Sequence, residues 1–193
     1  MSQARPGHVM RNPFLVGKRV YLRAIEEADA ATSYEWISDP EVRVHLASRS
    51  RPNTEAQSRA FFANVDGKSD QVFAIVMRAD GLHVGNCGLH DIHAVDRRAA
   101  LGIVIGQKDQ QNRGFGAETV RLLCGHAFDN LGLHKVWLSV YATNPRGLKV
   151  YERCGFRVEG RLRDHAFVEG RWVDEIRMGV LREELRPEAA GTT

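Results

Sequence analysis

The sequence lacks both a long apolar run and a dense cluster of basic residues. A transmembrane helix needs about 18 consecutive apolar residues, and no apolar stretch of this sequence comes near that length. The N-terminus shows neither the apolar core nor the small-residue cleavage site of a signal peptide. The formal net charge is only +3, and no run of five or more basic residues reinforces it. These absences predict a protein that has no membrane partner and no nucleic-acid partner.

Cysteine is scarce as well. Cys87, Cys124 and Cys154 all fall inside predicted strands or helices, where a free cysteine behaves as a small buried hydrophobe. An odd number of cysteines without framework spacing argues against a disulfide scaffold and for a reducing compartment. We therefore expect a cytoplasmic protein.

The histidines do not form a metal-ligand pattern. Strand alternation puts His83 and His93 on one face, provided that no bulge intervenes, and His90 on the other. No further ligand pattern accompanies them, so we expect no metal site.

What the sequence does contain fits one globular domain. Of its 193 residues, 43% are hydrophobic and 26% are charged, which is ordinary for a folded domain with a substantial core. Residues 1–13 are polar and predict a loose N-terminal tail, residues 14–182 a single domain, and residues 183–193 a C-terminal tail.

The apolar periodicity predicts a mixed α/β fold, because segments with a period of two alternate with segments of helical period. The predicted strands are Arg19–Ile25, Val72–Met77, Leu82–Ile92, Ala99–Ile105, Lys135–Ala142, Gly160–Val168 and Trp172–Leu181. The predicted helices are Glu26–Ile37, Asn53–Val65, Ala117–Leu131 and a short one from Pro145 that Gly155 ends, with a further helical turn in Glu41–Leu46.

A glycine-bearing turn, Gln111–Ala117, joins one of these strands to the longest helix. Such a turn directs successive backbone N–H groups, at the positive end of the helix dipole, into one concavity that attracts a phosphate. Gly114 and Gly116 let a ligand approach the backbone closely.

Two other nucleotide-binding motifs do not fit this turn. An NTPase P-loop would need Lys and Ser/Thr where Ala117 and Glu118 stand. A dinucleotide fingerprint would need a small residue where Thr119 stands.

Two sequence blocks together carry a family resemblance. The first, Gln111-x-x-Gly114-x-Gly116, resembles the coenzyme A pyrophosphate loop of the GNAT superfamily of N-acetyltransferases. The second, Asn144-x-x-Gly147-x-x-x-Tyr151-x-x-x-Gly155-Phe156, resembles that family's Asn-x-x-Ala-x-x-x-Tyr-x-x-x-Gly-Phe block. The resemblance implies a six- or seven-stranded mixed sheet, splayed between the strand ending at Ile105 and the strand ending at Ala142, with about four flanking helices.

The resemblance also implies a site for acetyl-CoA, used as a co-substrate. The pantetheine arm would enter the gap in the sheet and pair with the backbone of the strand end, and Asn144 would bond the arm besides capping its own helix. The residues expected to bind the cofactor are Ile103, Val104, Ile105, Gln111, Asn112, Arg113, Gly114, Phe115, Gly116 and Asn144.

Tyr151 is the expected general acid. A phenol of pKa near ~10 can protonate the departing thiolate, whose conjugate acid has a pKa near ~8.5. The general base is less clear, because Ala99 and Ala100 occupy the neighbourhood in which the resemblance leads us to expect a glutamate. A water chain, Asp91 or His93 would have to serve instead.

The acceptor is expected to be a primary amine: a protein N-terminus, a polyamine or another small amino compound. The resemblance is to the branch that contains ribosomal-protein alanine and polyamine acetyltransferases, in which the first two helices wall the acceptor pocket. This points to Glu26 and Trp36, and the six acids of Glu26–Glu41 would suit a cationic amine as well as a solvated helix. The alternatives are a non-catalytic acyl-CoA-binding module and a transferase that uses another acyl-CoA, such as succinyl-CoA.

A homodimer is a further expectation from the resemblance, since many relatives pair through their C-terminal strands. The apolar residues that would support such an interface are Trp172, Ile176, Met178 and Val180.

Overall fold

The computed structural model describes residues 9–46, 52–65 and 68–187. The strands are β1 (Leu15–Val16), β2 (Val20–Ala24), β3 (Gln71–Met77), β4 (His83–His93), β5 (Arg98–Ile105), β6 (Lys135–Tyr141), β7 (Arg157–Val168) and β8 (Arg171–Leu181). The α-helices are α1 (Ala30–Ser38), α2 (Pro40–Arg43), α3 (Glu55–Ala63), α4 (Phe115–Asp129) and α5 (Pro145–Cys154).

The strands form one sheet in the order β1-β2-β3-β4-β5-β6-β8-β7, in which only the β5–β6 pair is parallel. The mixed α/β fold is therefore confirmed, but the described residues hold eight strands and five α-helices, not six or seven strands and about four helices. Two elements account for much of the difference. β1 has two residues, too few for a period to show in the sequence, and α2 has four, which the sequence predicts only as a helical turn in Glu41–Leu46.

The predicted gap in the sheet is confirmed. Only three pairs join β5 to β6, with Arg98–Ala100 opposite Lys135–Trp137, and the two strands then diverge. β5 remains paired with β4 as far as Ile105, and β6 remains paired with β8 as far as Tyr141. Because each strand is held by its outer neighbour, the two halves of the sheet separate without either losing its own ladder.

The main core lies between the sheet and the helices α4 and α5. Val120, Leu123, Cys124 and Ala127 of α4 are fully buried there, as the helical period predicts. The three cysteines are free and buried, which confirms their prediction as small core residues. On the opposite face, α3 packs on β2 and β3, and α2 leads to Val44, which contacts the inner residues of the β7–β8 hairpin.

The supposed dimer residues of β8 have a different role. Ile176, Met178 and Val180 are buried in the main core, so their alternation reflects packing under α4 and α5. Trp172 is 62% exposed and contacts Phe167 of β7 across the hairpin.

Both ends of the described part of the chain contact the domain. Met10 packs against the smaller core cluster that contains Tyr21, and the Arg186 amide donates to the Cys154 carbonyl oxygen at 3.0 Å. The remaining parts of the two predicted tails, residues 1–8 and 188–193, lie outside the described residues. No helix in the described ranges is long and apolar enough to cross a membrane.

Candidate active site

A cavity of about 500 Å³ opens where β5 and β6 diverge. Its wall combines the free end of β5, the turn after it, the end of β6 and the first two turns of α5. The structure therefore brings together most of the residues predicted from the two sequence blocks. The predicted residues that line this cavity are Ile103, Val104, Ile105, Gln111, Asn112, Gly114, Gly116, Asn144 and Tyr151.

The turn from Gln111 to Gly116 has the geometry of an anion cradle. Gly114 is the N-cap of α4 and has φ 84°, a conformation that favours glycine, and Asn112 also has a positive φ of 60°. The Gln111 side chain donates from Nε2 to the Ile105 carbonyl oxygen at 2.9 Å, which ties the turn to the end of β5. The N-terminus of a 15-residue helix thus faces the cavity.

Two guanidinium groups flank this turn. Arg113 donates to Gln110 at 2.7 Å, and it lies 5.8 Å from the centre of the Phe115 ring. Arg19 lies over the same ring at 5.0 Å and donates to the Arg113 carbonyl oxygen at 2.8 Å. The buried Glu118 carboxylate orients Arg19 through a 3.0 Å ion pair. The sequence does not mark Arg19, because it lies just before β2, 94 residues from Arg113, and belongs to no local motif.

These residues fit the diphosphate and pantetheine arm of coenzyme A. A Cβ at Gly116 would have nothing nearer than the Ile105 side chain at 4.0 Å, so the cavity has room beside the helix N-terminus. Beyond Ala100, the β5 edge no longer pairs with β6, which leaves backbone donors and acceptors for an extended ligand. Phe115 is buried and supports the turn from behind, instead of lining the cavity.

Helix α5 holds Asn144 and Tyr151 in the cavity wall. The Asn144 side chain accepts a hydrogen bond from the Gly147 amide at 2.9 Å, which is the N-cap that the sequence predicts, and Pro145 follows it. Two turns later, Tyr151 packs beside Phe156 with a ring separation of 5.8 Å. Burial raises the pKa of Tyr151 to about 12, so the phenol is protonated over the whole working pH range.

The two base candidates lie elsewhere. His93 pairs with Arg98 at the start of β5, and Asp91 lies in the bulge beside it with φ 49°. The free end of β5 is roughly 20 Å from there, at about 3.3 Å per strand residue. The His93 ring accepts from the Asp96 amide at 3.0 Å, and neither residue lines the cavity.

The bulge also decides the arrangement of the strand histidines. Because β4 shifts register between His90 and His93, simple alternation does not hold there. Each histidine has its own neighbour: His83 contacts Asn86, His90 contacts Asp70, and His93 contacts Asp96. Within the described ranges, no three His, Cys, Asp or Glu residues are grouped to hold a metal ion.

The predicted acceptor residues support the wall without lining the cavity. Trp36 is buried and packs against Gly106, whose added Cβ would come within 2.0 Å of the indole, and its ring meets His83 edge-on at 4.9 Å. Glu26 forms a 2.8 Å ion pair with Arg11. The residues of this region that do reach the cavity come from α2 and the turn after it: Glu41, Val42, His45 and Leu46.

Most acids of the stretch Glu26–Glu41 are already paired with cations from elsewhere in the chain. Asp29 and Arg23 form a buried pair at 2.7 Å, and Lys108 bridges Asp39 at 2.6 Å and Glu41 at 3.1 Å. The acidic stretch is therefore largely neutralised within the fold.

A residue of β8 completes the cavity. Glu175 lies opposite the end of β6, and its side chain is only 15% exposed. The sequence shows that Glu175 alternates with the apolar residues of β8, but it does not show which surface the other face of the strand meets.

Comparisons with known proteins agree with this geometry. Residues 19–157 match the family described as "Acetyltransferase (GNAT) domain". A spermidine N(1)-acetyltransferase of Escherichia coli K12 is 28% identical over 174 residues, which cover 89% of this chain and 86% of that protein. A putative ribosomal N-acetyltransferase of Bacillus subtilis is 32% identical over 109 residues, covering 56% of this chain and 59% of that one.

The fold also matches solved structures. The crystal structure of spermidine N-acetyltransferase from Vibrio cholerae, in complex with CoA and spermine, superposes with a TM-score of 0.80 at 24% identity. The match covers 86% of this chain and 97% of that one.

Proposed function

The chain belongs to the acetyltransferase (GNAT) family, and we propose that it transfers the acetyl group of acetyl-CoA directly to a small primary amine in a ternary complex. Acetyl-CoA is the donor, and the reaction is N-acetylation. The observation that carries the proposal is the single cavity in which a helix N-terminus, an unpaired strand edge and Tyr151 meet. Direct attack suits this cavity, because Cys87, Cys124 and Cys154 are all buried and none of them lines it.

The binding roles follow from the contacts. The amides at the start of α4 would hold the diphosphate, and Arg19 and Arg113 would add positive charge beside it. The unpaired edge of Ile103–Ile105 would align the pantetheine arm as an extra strand, with Asn144 on its other side. An N–H of this edge would also donate to the thioester carbonyl oxygen as negative charge develops there.

Tyr151 would act on the leaving sulfur. A pKa of about 12 lies well above the ~8.5 of a thiol, so burial makes Tyr151 a weaker acid than a free phenol. The raised pKa also keeps the phenol of Tyr151 protonated, so that its proton is present whenever the thiolate forms. We therefore assign Tyr151 to donate a hydrogen bond as the C–S bond stretches, with proton transfer late in the step.

A small amine is the acceptor that the cavity supports best. The Escherichia coli relative is a spermidine N(1)-acetyltransferase, and the match covers 86% of its length. In this chain, however, Lys108 occupies Asp39 and Glu41, which leaves Glu175 as the shielded carboxylate of the described cavity wall. One shielded carboxylate suits one ammonium group, so spermidine and simple monoamines are the first compounds to compare.

The test is a thiol-release assay with acetyl-CoA and a panel of acceptors. The panel contains spermidine, matched alkyl monoamines and short peptides with a free N-terminal alanine or serine. We expect release with the small amines, and mass analysis should find a product that carries one acetyl group. Release with the peptides alone would contradict the small-amine assignment.

The same assay separates the two alternatives. Binding of acetyl-CoA in calorimetry without release for any amine would indicate a non-catalytic binding module. Faster release from succinyl-CoA than from acetyl-CoA would indicate a different donor.

We also propose that the protein works in the cytoplasm as a homodimer. Three free, buried cysteines suit a reducing compartment. Phe167 and Trp172 form an exposed aromatic pair on the β7–β8 hairpin, with ring centres 5.2 Å apart. Light scattering at micromolar concentration should give twice the chain mass, and Trp172→Ser should give the monomer mass.

A further inference from the structure

Glu175 lies on the face of the sheet that an acceptor would approach. Its neighbours along β8, Ile176 and Met178, point into the core under α4 and α5. Because successive strand side chains alternate, Glu175 points to the opposite face, where α2 lies. On that face it is flanked by Tyr141 of β6 and Leu162 of β7.

The Glu175 carboxylate is shielded but lightly paired. Its one ion contact among the described residues is Arg177 Nη2 at 3.7 Å, which is beyond hydrogen-bonding distance. Arg177 is itself stacked over the Trp137 ring at 4.2 Å, which fixes the guanidinium at that distance. The carboxylate therefore keeps oxygen lone pairs for a ligand in the cavity.

Other carboxylates cannot take its place in the cavity wall. Glu41, the other acid of the described lining, has a side chain that is 79% exposed and bridged to Lys108. Asp91 lies at the far end of the β4–β5 hairpin, as described above. Ala99 and Ala100 have no titratable side chain.

From this placement we infer that Glu175 is the general base, the group that takes the proton that the acceptor ammonium must lose before it attacks. The inference rests on the proposed N-acetyltransferase function. The chain would thus divide the two proton transfers between β8 and α5, with Glu175 serving the amine and Tyr151 serving the thiolate.

The protons balance as follows. Glu175 takes one proton from the ammonium, and the neutral amine attacks the thioester carbonyl, so that a C–N bond forms and the C–S bond breaks. Tyr151 protonates the departing sulfur, and its phenolate recovers a proton from the nitrogen. Glu175 then releases its proton to solvent. The sum is ammonium plus acetyl-CoA giving acetamide, CoA thiol and one proton.

The environment favours this transfer more than bulk water does. An alkylammonium has a pKa of about 10 and a carboxylic acid one of about 4.3, so the transfer is uphill in water. Burial of an ammonium lowers its pKa because the charged form loses hydration. Even a small fraction of neutral amine, formed next to the thioester, is consumed by the attack.

The experiment compares Glu175→Gln, Glu175→Asp and wild type with the best amine from the acceptor panel. Near pH 7, the glutamine variant should lose about 10²–10⁴-fold in kcat/KM, the usual contribution of a general base. The loss should shrink as the pH approaches the amine's own pKa, because solution then supplies neutral amine. It should shrink likewise for a β,β,β-trifluorinated monoamine, because three fluorines lower the amine pKa far enough for most of it to be neutral near pH 7. Aspartate should restore part of the rate.

Controls separate catalysis from folding. Glu159→Gln removes a carboxylate from β7 that pairs with Lys135 at 2.6 Å outside the cavity, and it should leave the rate unchanged. Acetyl-CoA affinity and thermal unfolding of both Glu175 variants should match wild type.

Three results would overturn the inference in different ways. If wild type acetylates the amine and Glu175→Gln loses the same factor at every pH and with both amines, Glu175 only shapes the pocket. Unchanged activity of the glutamine variant would exclude any role. If none of the tested amines supports thiol release by the wild type, the proposed function itself fails, and the base assignment fails with it.

Discussion

The two sides of the cavity are built in different ways. On the donor side, the turn Gln111–Gly116 and the helix α4 form one continuous stretch that offers mainly backbone amides. On the acceptor side, the wall draws single side chains from three separated segments: Glu41 and His45 near α2, Ser139 at the end of β6, and Glu175 of β8. The donor side is thus a local motif, whereas the acceptor side exists only in the folded chain.

This difference follows from the ligands. Coenzyme A has a diphosphate and an extended arm that backbone N–H and C=O groups can bind, so a short motif suffices. An acceptor amine must be selected by charge and shape, which requires side chains that converge from several elements. We expect substitutions on the two sides to separate in the same way, with donor-side changes acting on acetyl-CoA affinity and acceptor-side changes acting on amine turnover.

The largest effect is expected at the junction of the two sides. Tyr151→Phe keeps the ring beside Phe156 but removes the proton donor, so kcat should fall by about 10²–10⁴-fold while acetyl-CoA affinity is nearly unchanged. Because burial raises the pKa of Tyr151 to about 12, the alkaline side of the wild-type pH profile should show no Tyr151 ionisation at ordinary assay pH. Steady-state kinetics measures kcat and its pH profile, and calorimetry measures the affinity for acetyl-CoA. Full kcat in the variant, with chemistry shown to be rate-limiting, would mean that the thiolate leaves without this donor.

The next largest effect is expected from a substitution that disrupts the donor side alone. Gly114→Val places a β-branched residue at φ 84°, with its Cβ 3.0 Å from an Arg19 nitrogen, and it obstructs the approach to the cradle. Strain of about 1–3 kcal/mol at such a position corresponds to about 5–150-fold weaker acetyl-CoA binding, if the strain disturbs the cradle.

Gly81→Val is the matched control for Gly114→Val, since Gly81 has φ 76° in the turn between β3 and β4, away from the cavity. It should weaken the fold without changing the affinity for acetyl-CoA. Calorimetry on both folded variants gives the comparison, and equal affinities for the two would reject this turn as the cradle.

A smaller effect tests the guanidinium that the sequence analysis missed. Arg19→Gln should weaken acetyl-CoA binding by up to about fivefold, since a partly exposed charge contact contributes up to about 1 kcal/mol. A donor without the diphosphate, such as acetyl-pantetheine, should react equally well with the variant and wild type. Arg163→Gln on β7 removes the same charge outside the cavity and serves as the control. An equal loss with both donors would show that Arg19 supports the fold, through Glu118, and not the diphosphate.

The smallest effect concerns the stability of the acceptor wall. Burial lowers the pKa of His83, which lies 3.5 Å from Asp29 and edge-on to Trp36. A lowered histidine pKa means that the unfolded chain binds the proton more readily, so stability should be lost as the pH falls below about 6.5. His83→Gln should make the fall in melting temperature between pH 7.5 and pH 5.5 less steep.

The slope of that fall is the relevant quantity, because glutamine also alters the contact with Asn86. Burial lowers the pKa of His45 and His126 too, so part of the pH dependence should remain. An unchanged slope in His83→Gln would assign the whole acid sensitivity to other groups.

Much of the fold followed from local patterns. The strands and helices that carry clear periodicity were predicted within a few residues, and the cap at Asn144 forms as expected. Of the short elements, β1 was not predicted, because two residues cannot display a period, and α2 was predicted only as a helical turn in Glu41–Leu46. The β4 bulge was left open by the sequence, because one extra residue in a strand depends on the pairing partner.

The sequence by itself determined the donor side of the site. The turn glycines act within a few residues of the helix that follows them, and the asparagine cap lies two turns before the tyrosine, so the spacing inside each block specifies its local geometry. Only the tertiary structure decided the acceptor side. Glu175 reaches the cavity from β8, and the acids of Glu26–Glu41 pair with cations elsewhere in the chain. On the donor side, the contact of Arg19 with the turn Gln111–Gly116 depends on a distant segment in the same way. The pairing of charges and the surface that each face of a strand contacts depend on which distant segments meet in the folded chain. The spacing of residues within one segment does not determine this.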